Sequence, residues 1–281
     1  MLNQRLRSTC YDSPMRALLL AILTLALLTP RAWAAEVPPL TRARAAYNAG
    51  RFDEAVTAAL EARKVKGAGD TAALVLARAL LERFRQTAKP EDLVGAREAM
   101  RAVDRSRLTP RDQLDFVIGL GQTLFLDKAF GAAAEVLLPV LDGQPLLPVT
   151  ERARLLDWWA GALDREAQLR LPERRSAIYA RVVATMEREL TQNPASHAAN
   201  YWLAAALRGQ GDLERAWDTA AAGWVRAGLT AEVTVALRAE LDRLVTEVLI
   251  VERSRQRAPR EQAEAALAFR AEWDAFKSRW P

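Results

Sequence analysis

Two distant stretches of the chain share one arrangement. Gly50 is followed two residues on by Phe52 and five residues on by Ala55; Gly211 is followed at the same distances by Leu213 and Ala216. Glycine accepts the left-handed backbone that ends a helix. A large apolar side chain just after it covers the corner, and an alanine one turn later lets the next helix approach closely. Recurrence at fixed spacing therefore predicts repeated helix pairs, not a loop cradling a ligand. One such pair cannot bury its own apolar face, so the units must stack. Composition agrees: the chain is 51% hydrophobic and 27% charged. Alanine, leucine, arginine and glutamate favour helix, which predicts an all-α fold without a sheet.

The N-terminus reads as a targeting segment. Arg16 precedes an apolar run from Ala17 to Leu28, followed by Ala32-Trp33-Ala34-Ala35. A basic flank, a short apolar run and an Ala-x-Ala site predict a bacterial-type secretory signal over residues 1–34, cut after Ala34. The run falls short of the ~20 apolar residues of a spanning helix. A periplasmic protein is the expectation, and an uncleaved signal tethering the chain to the membrane is the alternative. Met15 begins a complete signal by itself, so starts at Met1 and at Met15 lead to the same mature chain.

Removing the signal changes the chemistry. It takes away Arg5, Arg7, Arg16, Arg31 and Asp12, so the net charge falls from +5 to +2. With no basic stripe interleaved with aromatics, a nucleic-acid partner is not expected. The only cysteine, Cys10, goes too, leaving a mature chain with neither disulfide nor thiolate metal site.

The best-formed repeat lies in the middle. Val117, Leu120, Gly121, Leu124, Phe130, Ala133, Leu137 and Pro145 follow the spacing W-x2-L-G-x2-Y, A-x3-F, P. This resembles the tetratricopeptide repeat, a 34-residue helix–turn–helix unit, with aliphatic residues at three aromatic positions. Asn200, Leu203, Ala204, Leu207, Gly211, Leu213, Ala216 and Ala220 fit the same frame, and Gly50, Phe52, Ala55, Ala59 and Ala62 fit its second half. Phe52, Phe130 and Leu213 lie 78 and 83 residues apart, which leaves room for two degenerate units. One combines a helix over 71–84 with Leu93–Val103; the other combines helices over 151–168 and 173–191. Pro145 and Pro194 would stop second helices.

The resemblance implies a right-handed α-solenoid of about five irregular helix pairs over 35–228. A stripe of Val233, Leu237, Leu241, Leu244, Val248 and Val251 predicts one long helix from near Thr230. Beyond Pro259, a last helix presents Leu267, Trp273, Phe276 and Trp280. Residues 229–281 then read as a C-terminal cap, or in part as a docking surface.

Candidate chemistry is sparse. His197 is the only histidine; it has no nucleophile at a readable spacing and cannot build a multi-histidine metal site. Gly67-Ala-Gly69-Asp-Thr-Ala72 matches a dinucleotide fingerprint superficially, but helix precedes it where a strand is required. It reads as a linker with Asp70 or Thr71 capping the next helix. Neither cofactor nor metal is expected.

The family resemblance implies a protein-interaction module whose first helices line a concave surface. Carried over by frame, Tyr201, Arg208, Asp115, Gln122 and Phe125 would face it, with either Trp158 or Trp159. Trp159 is the surface candidate of that pair and Trp158 the core candidate. The expected function is a non-enzymatic adaptor or scaffold binding a protein or peptide, in association with an envelope assembly. The alternative is a helical subunit of a cell-wall-acting enzyme, which needs convergent carboxylates drawn from Asp115, Asp157, Asp164 and Glu166.

Overall fold

A computed structural model describes residues 37–143, 147–229 and 231–280. The signal segment 1–34, Pro145, Thr230 and the side chain of Val233 lie outside what is described. Among the described residues, every regular element is helical. The helices are α1 (Pro39–Asn48), α2 (Phe52–Ala62), α3 (Gly69–Thr87), α4 (Pro90–Arg101), α5 (Pro110–Leu126), α6 (Phe130–Gly143) and α7 (Val149–Gln168). They continue with α8 (Pro172–Gln192), α9 (His197–Gln210), α10 (Leu213–Ala227), α11 (Ala231–Arg243), α12 (Ile250–Arg257) and α13 (Gln262–Arg279).

Consecutive helices pack on each other from α1 to α11, and a second pattern overlies the first. Each odd-numbered helix also touches the next odd one, from α1·α3 through α9·α11, whereas even-numbered helices share no comparable contact. The odd helices thus form one continuous layer. Small residues at the frame positions let the two helices of a pair approach closely: Ala55, Ala133, Ala204 and Ala216 are all fully buried. At Gly121 a Cβ would lie 2.4 Å from Leu137.

The corners repeat a backbone conformation more faithfully than they repeat a residue. Gly50 and Gly211 have φ of 72° and 86°, and Gly211 caps α9 in the left-handed region. Ala88 and Lys128 hold φ of 55° and 63° at the equivalent positions, two residues before α4 and α6. Gly67, with φ of 82°, likewise stands two residues before α3, so five corners share one left-handed residue and glycine marks three of them. The expected cap at the start of α3 is not formed: the cap residue is Ala68. Asp70 instead accepts the backbone N–H of Asp104 at 2.8 Å.

The long C-terminal helix departs from the single stripe read in the sequence. Leu237, Leu241 and Leu244 are buried, but the helix passes through a π-helical turn, Leu244–Leu249, between α11 and α12. The wider turn acts as one inserted residue, and the buried face moves to Leu249, Ile250, Arg253 and Ser254, leaving Val251 38% exposed. Helix α13 packs against α12 through buried Phe269 and Trp273, while Leu267 and Trp280 are exposed. Trp273 lies 5.7 Å from both Trp217 and Trp224 and donates its indole N–H to Asp242 at 2.8 Å. Among the described residues no helix is long and apolar enough to cross a membrane.

Candidate functional site: a groove along the odd-numbered helices

A concavity of about 750 Å³ is lined mainly by α1, α3, α5 and α7, with Gly50 and Phe52 at the first corner. Their inward residues follow helical spacing: Arg78, Glu82 and Arg85 on α3; Arg111, Asp115, Ile118 and Gln122 on α5; Glu151, Arg154, Leu155 and Trp158 on α7. Five arginines and five carboxylates share the lining, so the groove has no net charge bias.

Most of these charges hold one another. Arg78 meets Asp115 at 2.9 Å. Arg111 reaches Glu151 on α7 at 2.8 Å and Asp115 at 3.4 Å, and its pKa is raised chiefly by the hydrogen bond to Glu151. Arg44 on α1 reaches past α3 to Asp112 on α5 at 2.7 Å. Arg85 on α3 reaches past α5 to lie 5.1 Å above the Trp158 ring, while pairing with Glu82 on its own helix. Both long reaches skip one helix of the layer, so the inner face is strongly curved between α1 and α7. Arg78 covers the Tyr47 ring at 4.8 Å, and burial raises the Tyr47 pKa above 10.0.

The residues expected on a concave face divide. Asp115 and Gln122 line the groove. Phe125 stands beside it, its ring 5.0 Å from Trp158 and 5.2 Å from Phe130. The two tryptophans are the reverse of the expectation: Trp159 is 1% exposed in the core, and Trp158 lines the groove. Adjacent helix positions point about 100° apart, so only one can face inward, and the close packing of α7 with α8 and α9 takes Trp159.

Tyr201 is half-buried and not in the groove lining; its ring meets that of Trp202 at 5.3 Å, and burial raises its pKa. Trp202 donates to Asp157 at 2.8 Å, continuing the inner face from α7 to α9. Arg208 lies in a separate depression with Tyr179 and Gln210, where its guanidinium forks onto Glu252. That commitment ties α9 to α12 instead of presenting a free cation.

Arg44, Arg78, Arg85, Arg111, Glu151 and Arg154 are groove residues that the sequence reading missed. Part of their signal is present in the sequence. Arg78, Glu82 and Arg85 recur at helical spacing along α3, outside the better-formed units that the repeat frame fits.

The carboxylates considered as an acid–base set do not converge. Asp115 and Asp157 line the groove, but Asp164 accepts the Tyr179 hydroxyl at 2.8 Å. Glu166 pairs with Arg170 and accepts the Gly131 N–H at 3.1 Å. Among the described residues, no group of three or more His, Cys, Asp and Glu is placed to hold a metal ion. No family model, curated protein or solved structure matches the chain.

Proposed function

We propose that the chain is a non-enzymatic adaptor of the bacterial envelope, built as a right-handed α-solenoid of about five tetratricopeptide-like helix pairs. Its protein or peptide partner binds in the groove along α1, α3, α5 and α7. One observation carries this reading: the helices that succeed one another in a single layer are the ones whose polar and aromatic side chains line the 750 Å³ groove. That volume lies within the roughly 300–1,000 Å³ of ordinary ligand sites. It suits a short segment of a partner better than a whole helix. Export through the signal at residues 1–34 puts the partner in the periplasm.

The test is affinity capture from envelope extracts with the exported wild-type protein, Trp158→Ala, Arg111→Ala and a control at exposed Leu169→Ala. Trp158→Ala and Arg111→Ala are expected to lose partners that wild type and the control retain. Retention of every partner by both groove variants would overturn the assignment. Intact mass of the same preparation is expected to begin at Ala35.

A further inference from the structure

Among the joints between an odd-numbered helix and the next even one, from α1 to α10, the corner between α7 and α8 stands alone. The others hold a left-handed residue at Gly50, Ala88, Lys128 and Gly211, whereas this one has none. Leu169 and Leu171 form it instead, 70% and 72% exposed. Leu171 is the N-cap of α8 and makes no side-chain hydrogen bond there, at a position where serine, threonine, aspartate or asparagine would stabilise the helix. Asp212, at the equivalent place before α10, accepts the Arg215 N–H. Single exposed apolar side chains are ordinary on a surface. Here a pair of leucines, separated by one arginine, gives up a cap and gains no burial.

The same corner is basic. Residues 165–175 carry Arg165, Arg170, Arg174 and Arg175 against Glu166 and Glu173, a net charge of +2. Among the described residues Arg165, Arg174 and Arg175 make no ion pair, whereas Arg170 pairs with Glu166. Arg170 also lends its carbonyl to the Arg175 guanidinium at 3.2 Å. Glu166 accepts the Gly131 N–H of α6 at 3.1 Å, which sets the corner between α5 and α6 beside this one. That neighbour brings exposed Lys128, also without an ion pair among the described residues.

Leucines between arginines suit the interface of a bilayer. At the boundary of headgroups and acyl chains, an apolar side chain reaches hydrocarbon while a basic one beside it stays with phosphate. Guanidinium forks match phosphate oxygens. One corner is small beside the ~800 Å² per partner of a stable protein interface, whereas attraction to anionic lipid adds up over each basic residue near the surface. We propose that the corner between α7 and α8 docks reversibly on an anionic lipid surface. Leu169 and Leu171 enter the acyl boundary, Arg165, Arg170, Arg174 and Arg175 meet headgroup phosphates, and Lys128 lies alongside. The leucines are too few to hold the chain without the charge.

The probes are vesicles of phosphatidylcholine alone and of phosphatidylcholine with an equal share of phosphatidylglycerol, sedimented with the full mature chain. Wild type is expected to sediment with the anionic vesicles and not the neutral ones, and less so at high salt. Arg174→Gln should weaken partitioning about fivefold. Leu169→Ser combined with Leu171→Ser should weaken it about tenfold or more. These positions are exposed, and an unchanged melting curve by circular dichroism separates lost binding from lost folding. Residues 35–281 contain no cysteine, so Leu171→Cys and Val65→Cys can each carry a single environment-sensitive dye. The dye at position 171 should shift to the blue on anionic vesicles. The dye at Val65, 47% exposed in the corner between α2 and α3, should not.

Failure of wild type to bind anionic vesicles, equal binding to neutral ones, or binding indifferent to the paired leucine variant overturns the proposal. So does a dye at position 171 that still reports water when the chain is bound, since charge alone would then hold it. Neither leucine lines the groove, so partner capture and its dependence on Trp158 are a separate readout, and either reading can fail without the other.

Discussion

The two ends of the described chain use the same side chains to opposite effect. In the groove, Arg78 and Arg85 lie over Tyr47 and Trp158 at 4.8 and 5.1 Å and keep 20% and 48% of their side-chain surface. Beneath α13, Arg253 lies 4.4 Å from both Trp217 and Phe269 and is 5% exposed. An arginine on one ring with water behind it can be displaced or recruited. An arginine between two rings is part of the core. What separates them is a covering helix: Phe269 of α13 lies over Arg253, and the described residues place no helix over the groove. Aromatic–arginine contacts therefore do not by themselves distinguish an open groove from a closed core.

The strongest way to break this comparison is to truncate one tryptophan at each end. Trp273→Ala removes a fully buried ring and a donor to Asp242 and should cost about 3–5 kcal/mol in chemical denaturation. Trp158→Ala removes a half-buried ring and should cost about 1 kcal/mol, with its main effect on partner capture. Equal losses of stability would mean that the groove wall is as much core as the packing beneath α13 is.

The corners provide a smaller test. A Cβ at Gly211 would meet no atom within 4 Å, so Gly211→Ala is penalised by its left-handed backbone alone, by about 1 kcal/mol. Lys128 holds φ of 63°, and Lys128→Gly should stabilise by about 0.5–1 kcal/mol. Opposite shifts in the urea midpoint are the expected result. Shifts of the same sign would show that the corners are equivalent in geometry but not in energy.

The smallest effect concerns His197, at the junction of the two regions. Its Nε2 lies 2.7 Å from Glu240, and that hydrogen bond raises its pKa above 6.5, opposed by burial. Asp157 adds to the rise. A raised folded-state pKa means the stabilisation is complete below about pH 6.5 and lost as pH rises through the folded value. The pair is partly exposed, so the effect is at most about 1 kcal/mol, or about 2–4 °C in Tm. His197→Gln should flatten the Tm profile between about pH 5.5 and 8.5; an unchanged slope would show that this contact does not contribute.

The helix pairs were legible because their determinants are local. Glycine, a corner residue and an alanine sit within six positions, as at Gly50, Phe52 and Ala55. Ala88 and Lys128 were not, since a left-handed residue other than glycine leaves no mark in sequence. The π-helical turn escaped for a related reason: the apolar spacing from Leu237 to Val251 runs on smoothly, and only packing decides which neighbour is buried. On the inner face, Asp115 and Gln122 came out of the best repeat. Trp158 and Trp159 were exchanged where α7 departs from that frame, and Arg208 was drawn away by Glu252, which lies far along the chain and beyond the reach of a local pattern.

That π-helical turn has a consequence for how the last helices pack. A helix with one fixed apolar face can join a layer but cannot also present a buried side to a helix approaching from elsewhere. By turning its buried face through about 100° at one inserted residue, the last long helix packs on α9 and α10 before the turn and, after it, sets Arg253 between Trp217 of α10 and Phe269 of α13. The change of direction is made within a single rod. Loss of one residue between Leu244 and Leu249 would aim α12 away from α13 and expose Phe269 and Trp273, an aromatic surface that is now buried.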